Sequence, residues 1–420
     1  MIRMGYQRPS KKENFTDVPD KVPSGQRRFT PSPMASSLIA TRLDPFEIVS
    51  PAKGLKISSY IIPTGVNHHP NDWTGGNAEF NNFKNLFECL GNKFRKDISR
   101  GHAMLLIDQS LEGYQTTWLW QWFHDSCTLY GINPRSIIYV TGNLLAEEQY
   151  KKFAETHSVK DRINVIGYPH FEEDMYTLYE NTYKENKKTF EDYYNFKNSN
   201  EIKLYSLLQK RPRPHRPWFF GLLVKNNLHE QGLINMDLIK NRHIVVDGES
   251  MPPELIDQAN KELPRWIDDE PNNIHPDNFY IRRLTENYFE RSWVHVVSEA
   301  SYSHSEHSLF ISEKTFKPIL CYQPFMILGS KHSLKKLREM GYRTFQPFID
   351  EDYDNLDGIE RMKAIIESIK KINSIENKIE WYAEMREILE HNFQTIANHN
   401  LKSSTYLSRL KDIYGSYFNA

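Results

Sequence analysis

Residues 311–319 read Ile311-Ser312-Glu313-Lys314-Thr315-Phe316-Lys317-Pro318-Ile319, and residues 324–329 read Pro324-Phe325-Met326-Ile327-Leu328-Gly329. A short polar cluster opens an amphipathic helix, and an apolar run of strand length ending in glycine follows it. A Glu-Lys pair at a loop-to-helix junction sets one carboxylate and one cation beside unpaired backbone N–H groups. That combination suits a phosphorylated ligand.

The same alternation extends outward in both directions. Strands are expected at 55–62, 103–107, 136–140 and 163–166, with helical patterns at 80–94, 117–130 and 145–157 between them. The run Ala103-Met104-Leu105-Leu106-Ile107 is continuously apolar, as a strand covered on both faces should be. Residues 172–198 are polar and rich in Tyr, Lys and Glu, and read as a helical link. The alternation then restarts with strands at 203–208, 243–246, 293–297 and 324–328 and a helix at 217–226. Strands alternating with helices imply βαβ units and mostly parallel sheets. Residues 357–415 are helical in pattern, with Ile365, Ile366, Ile369 and Ile372 at helical spacing. Residues 1–50, broken by Pro9, Pro19, Pro23, Pro31 and Pro33, read as an extended, partly disordered arm. The resulting division is an arm (1–50), an α/β domain (51–198), a second α/β domain (199–356) and C-terminal helices (357–420).

Bulk composition narrows the functional classes. At 420 residues the chain exceeds one ordinary core. A formal charge of -1 supplies no global basic field for nucleic acid. The cysteines Cys89, Cys127 and Cys321 are too few and too scattered for a disulfide framework or a thiolate zinc site, which fits a reducing compartment. No apolar run approaches the roughly 20 residues that span a bilayer, and the N-terminus lacks the apolar core of a signal peptide. The expectation is a cytoplasmic protein. Neither a phosphate-binding GxxxxGK[ST] loop nor a GxGxxG fingerprint is present, so a P-loop kinase and a dinucleotide oxidoreductase are set aside.

Three further segments carry chemistry. Gln209-Lys210-Arg211-Pro212-Arg213-Pro214-His215-Arg216-Pro217 follows a strand and opens a helix, packing cations where open α/β sheets bind ligands. Arg213 and Arg216 are its candidate phosphate ligands, since the guanidinium fork matches phosphate oxygens. Val297-Ser298-Glu299-Ala300-Ser301 ends a second strand and offers Glu299. Asp108, directly after the 103–107 strand, is the first candidate for a general base and Glu112 the second, the plainer alternative being that Asp108 caps its own turn. His304 and His307 near Glu299 and Glu306 lack the spacing of a metal signature. Asp350-Glu351-Asp352 follows no nucleotide-binding strand and reads as a loop closing the second domain.

These motifs, in this order, resemble the donor domain of the α-1,3-fucosyltransferase family over roughly residues 203–355. That family has an arginine before an aromatic-bearing helix, matched by Arg216 with Pro217-Trp218-Phe219-Phe220. It has a strand ending in Glu-Asn-Ser, read here as Glu299-Ala300-Ser301. Its Tyr-Val-Thr-Glu-Lys segment is read here as Phe310-Ile311-Ser312-Glu313-Lys314. The pattern from Ser312 to Asp354 is also similar to glycosyltransferase-like proteins of phages and environmental genomes. The resemblance implies an α/β fold of GT-B type, with two Rossmann-like domains facing a cleft and a helical C-terminal segment. It implies a metal-independent, inverting glycosyltransferase with no cofactor beyond a nucleotide-diphosphate sugar. Arg213, Arg216, Glu299, Ser312, Glu313, Lys314 and Lys317 would form the donor site, with Glu313 facing the sugar. Residues 51–198 would be the acceptor side, for a glycan or a hydroxymethylated DNA base, in a host cytoplasm if the chain is viral. Ala300 and Phe310 depart from the family at donor-contacting positions, so neither fucose nor a guanine nucleotide is implied. The competing reading is a non-catalytic, virion-associated structural protein of the same fold.

Overall fold

A computed structural model of the chain describes residues 59–60, 92–110, 113, 119–209, 213–267, 284, 286–302, 308–399 and 406–419 in full. It describes the backbone alone of residues 2–8, 16–17, 46–49, 61–63 and 405. Two compact units emerge, residues 1–170 with 400–420, and residues 171–399.

The first unit is built on strands β1 (Ile2–Arg8), β2 (Thr16–Asp17), β3 (Phe46–Val49), β4 (Ser59–Pro63), β5 (Met104–Gln109), β6 (Ile137–Thr141) and β7 (Asn164–Gly167). They follow the order β2-β1-β4-β5-β6-β7, with β3 also paired to β1, and every pairing but β1 with β2 is parallel. Side chains alternate across a strand, so β5 feeds two cores. Leu105 and Ile107 pack with Leu119, Phe123, Ala146 and Tyr150 on one face. Met104 and Leu106 meet Leu407, Leu410 and Tyr414 of the terminal helix Thr405–Asn419 on the other. The Tyr414 hydroxyl donates to Ser59 Oγ at 2.5 Å, fastening that helix to β4. The stretch read as an arm thus supplies three strands, which its prolines hid.

The second unit holds β8 (Lys203–Leu208), β9 (Gly232–Asn235), a short hairpin of β10 (Val245–Val246) and β11 (Glu249–Ser250), β12 (Ser292–Ser298) and β13 (Phe325–Leu328). Its main sheet is parallel, in the order β13-β12-β8-β9. From β8 the chain adds β9 on one side, then β12 and β13 on the other, so the strand order reverses between β8 and β12. The strand expected at 243–246 is not in this sheet. It forms the outlying hairpin, turned by Asp247 and Gly248 at positive φ. Its place is taken by β9, whose four residues are too few to show a period. Gly232 is required there, because a Cβ would lie 2.4 Å from the Tyr205 ring.

Residues 172–198, expected to link the domains, lie within the second unit. The helix Phe190–Ser199 starts with a capping box between Thr189 and Asp192 and stacks Phe190 on Tyr382 at 5.3 Å. From its last turn the buried Lys197 ammonium donates to the carbonyls of Phe289 (2.9 Å), Glu290 (3.3 Å) and Ser292, and to Gln323 Oε1 (3.2 Å). One basic side chain, its pKa drawn down by burial to about 7, thereby gathers the backbone entering β12. Lys197→Met, which keeps the stem and removes the donors, is expected to cost about 3 kcal/mol by stranding those acceptors. Urea denaturation measures it, and a change under about 0.5 kcal/mol would show that the carbonyls find other partners.

Candidate functional site

Ligands of open parallel sheets bind outside the carboxyl ends of the strands where the strand order reverses. In the second unit that point lies between β8 and β12. The chain leaving β8 passes into the helix His215–Lys225, and the chain leaving β12 continues through Glu299. Arg216, 5% exposed, ties the two together. Its Nε donates to Ser298 Oγ at 3.1 Å, and its Nη2 donates to the carbonyls of Ser298 and Glu299, each at 3.1 Å. His215 adds a bond from Nε2 to the Glu299 carbonyl at 3.1 Å. Its ring stacks on Tyr302 at 5.2 Å, and Arg361 lies over Tyr302, also at 5.2 Å. Burial, helped by the Arg216 charge, holds the His215 pKa well below its ordinary value, so the ring stays neutral.

Glu299 is 1% exposed, and four donors converge on its carboxylate. Oε1 accepts from Ser312 N (3.0 Å) and Thr315 Oγ1 (2.7 Å), and Oε2 accepts from Ser312 Oγ (2.5 Å) and Ala300 N (3.2 Å). This one side chain fixes the start of the helix Glu313–Leu320 against the end of β12. Ser312 is that helix's N-cap, its Oγ accepting from Lys314 N at 3.4 Å. Gly329, just after β13, leaves room for the stem of the same side chain and for Ile327. A Cβ on it would sit 3.0 Å from Glu299 Cβ.

The first turn of this helix carries the charge. Glu313, 7% exposed, pairs with Lys314 Nζ at 2.6 Å. Burial pushes the Glu313 carboxyl up, but Lys314 and Lys317 outweigh it and hold the pKa below the ordinary value. Lys317, one turn further, is drawn down by burial to about 8, against the opposing pull of Glu313. The helix head therefore offers one ion-paired lysine, a second lysine whose pKa burial lowers to about 8, and the positive end of a helix dipole.

Of the residues singled out from sequence, the structure brings together Arg216, Glu299, Ser312, Glu313, Lys314 and Lys317 around the ends of β12 and β13. Arg213 is exposed, with its carbonyl accepting from Arg216 N at 2.9 Å. Glu299 and Arg216, expected from the sequence as ligand-binding residues, hold the frame of this corner, a role that no motif reveals. Asp108 belongs to the first unit and lies within β5. Its Oδ1 accepts from Ser110 N (3.1 Å) and Ser110 Oγ (2.6 Å), the turn-capping geometry. Glu112, Lys210, Arg211, His304 and His307 fall outside the described residues. Glu351 turns its carboxylate inward to Phe345 N and Thr344 Oγ1, closing its loop.

Sequence reasoning passed over Thr315, His215, Tyr302 and a set of incompletely satisfied polar groups. Gln209 Oε1 after β8, Asn235 Oδ1 at the end of β9 and Ser330 Oγ after β13 are buried with no hydrogen-bond partner among the described residues. In the first unit Gln109 Nε2 at the end of β5 is likewise unpartnered. Buried polar groups are almost always paired. Gln209 and Asn235 lie side by side at the carboxyl ends of β8 and β9, while Gln231 Oε1, just before β9, is unpartnered among the described residues at the other end of that strand. Among the described residues, one group could hold a metal ion, formed by His229, Glu230 and Glu262. It precedes β9 at the opposite end of the strand, and Arg265 Nη1 already engages Glu230 Oε1 at 2.8 Å.

No protein-family model and no curated protein matches the chain. Among solved structures, an α,α-trehalose-phosphate synthase (UDP-forming) from Burkholderia vietnamiensis aligns over 91% of this chain and 74% of its own, at 11% identity and a TM-score of 0.41. An α1,3-fucosyltransferase aligns over 100% and 90%, at 8% identity and a TM-score of 0.36. A UDP-N-acetylglucosamine 2-epimerase from Listeria monocytogenes, described as putative, aligns over 94% of each chain, at 10% identity and 0.37. Likeness at this level assigns no activity.

The Glu299 network makes its own prediction. In Glu299→Gln one carboxylate oxygen becomes an amide NH2 facing two of the four donors, so folding stability should fall by about 2–3 kcal/mol. Chemical denaturation checks this, and an unchanged midpoint would mean that the carboxylate does not hold the helix head.

Proposed function

We propose that this chain is a glycosyltransferase of GT-B type, moving a sugar from a nucleotide-diphosphate sugar to a hydroxyl acceptor with inversion and without a metal ion. The observation that carries the reading is the helix head at the strand-order reversal. There Glu313, Lys314 and Lys317 stand within one turn, braced by Glu299 and Arg216. Lys314, Lys317 and the positive end of the helix dipole would offset the charge that develops on the leaving diphosphate, the term expected to dominate such a transfer. Glu313 would face the sugar and stabilise positive charge at the anomeric carbon. As the bond from that carbon to the diphosphate oxygen breaks, a bond to the acceptor oxygen forms. The acceptor proton passes to a carboxylate of the first unit, for which Asp108 and Glu112 are the candidates. The helix dipole and two cations at one point match a diphosphate better than they match any neutral ligand.

Calorimetric titration with UDP-, GDP-, CMP- and dTDP-sugars tests the reading. One nucleotide class should bind, and Lys314→Ala and Lys317→Met should each weaken it by about tenfold or more, in line with a lost charge-assisted bond. Binding should also weaken as pH rises through about 8, where Lys317 gives up its proton, and bound phosphate should shift that midpoint upward. Lys317→Met should abolish the pH dependence. If no nucleotide binds the folded wild-type protein, the proposal is wrong.

A further inference from the structure

Gln209 directly follows β8 at the point where the strand order of the second unit reverses, and the helix carrying His215 and Arg216 begins six residues later. It is 1% exposed, and its backbone N–H continues the sheet by donating to the Asn235 carbonyl at 3.0 Å. Its side-chain amide is fixed in orientation by chemistry. Nε2 donates to Met236 Sδ at 3.2 Å, and a thioether sulfur accepts hydrogen bonds but cannot donate them. Turning the amide over would set a carbonyl oxygen against sulfur. Oε1 is therefore the atom left over, and it has no donor among the described residues. On the adjoining strand end, Asn235 Oδ1 is in the same condition.

Both unsatisfied atoms are acceptors. Phosphate oxygens are acceptors too and cannot serve them, so the group that completes this edge is a hydrogen-bond donor. A buried acceptor left unmade costs on the order of 1–3 kcal/mol, enough to bias recognition between ligands that differ by one N–H or O–H. Resting on the function proposed above, we infer that Gln209 reads the hydrogen-donating part of the nucleotide sugar, its Oε1 accepting from a base N–H or from a hydroxyl. The diphosphate is left to the lysines of the Glu313–Leu320 helix head. Affinity and ligand choice are thereby carried by different strand ends, β8 for the hydrogen-bond donor and β12 with β13 for the diphosphate.

The test is calorimetry on the full chain and Gln209→Met, each titrated with inorganic pyrophosphate, with the nucleoside diphosphate of the class that binds, and with its nucleotide sugar. The expected result is a loss of about tenfold or more for the nucleoside diphosphate and the nucleotide sugar, with pyrophosphate changed less than about twofold. A loss confined to the nucleotide sugar also supports the inference and identifies a sugar hydroxyl as the donor. Equal losses for all three ligands, or none, overturn it while leaving the proposed function standing, provided the wild type binds. If Gln209→Met does not fold, the wild-type protein decides the matter with N-methylated-base and deoxy analogues. At least one should bind about tenfold more weakly than its parent, and parity for all of them overturns the inference. A wild type that binds none of the three ligands removes the proposed function and this inference together.

Discussion

The carboxylate of Glu299 and the four donors that meet it are the interaction on which the rest of the second unit's carboxyl strand edge depends. An ionised carboxylate withdrawn from water is costly unless its lone pairs are filled, and here Ser312 N, Ser312 Oγ, Thr315 Oγ1 and Ala300 N fill them. That requirement fixes where the helix Glu313–Leu320 begins, and with it the positions of Glu313, Lys314 and Lys317. It also explains the glycine at position 329, whose missing side chain leaves room for the Glu299 stem. Arg216 and His215 brace the same corner from the β8 side through the Glu299 carbonyl. The charges of the helix head are thus mounted on a frame of buried charges.

Buried basic side chains recur as the devices that hold strand ends. Lys197 gathers the carbonyls where β12 begins, and Arg361, 2% exposed, donates to the Leu356 carbonyl and to that of Gly329 just after β13. Each is a long side chain whose donors are taken up mainly by backbone carbonyls, with Asp357 Oδ1 also 3.8 Å from Arg361 Nη2. Such an arrangement tolerates little change, because removing the side chain leaves several carbonyls unmade at once.

Much of this was legible in the sequence. Most of residues 103–107 and 324–328 form strands because uninterrupted apolar runs of that length are stable only when covered on both faces, and the Ser312-Glu313-Lys314 cluster was visible as a loop-to-helix junction. Three things were not. β9 is too short for a period, and its decisive residue, Gly232, is there for a contact with Tyr205 that lies across the sheet. Residues 172–198 are polar enough to pass for a linker, yet Phe190 and Lys197 are buried by tertiary contacts that local pattern cannot show. The dual standing of Arg216 and Glu299 was hidden for the same reason, since a motif names residues that belong to a site without saying which of them hold it in place. The incomplete hydrogen bonding of Gln209 has no sequence signature at all, because it exists only once Met236 is seen beside it.

The most direct test of the central claim is a crystal structure of the protein with a bound nucleoside diphosphate. The expected result places the diphosphate at the first turn of the Glu313–Leu320 helix, within hydrogen-bond distance of Lys314 Nζ or Lys317 Nζ, with Glu299 still bonded to Ser312 and Thr315. A diphosphate bound away from that helix head, or a Glu299 carboxylate released from Ser312 to contact the ligand itself, would contradict it.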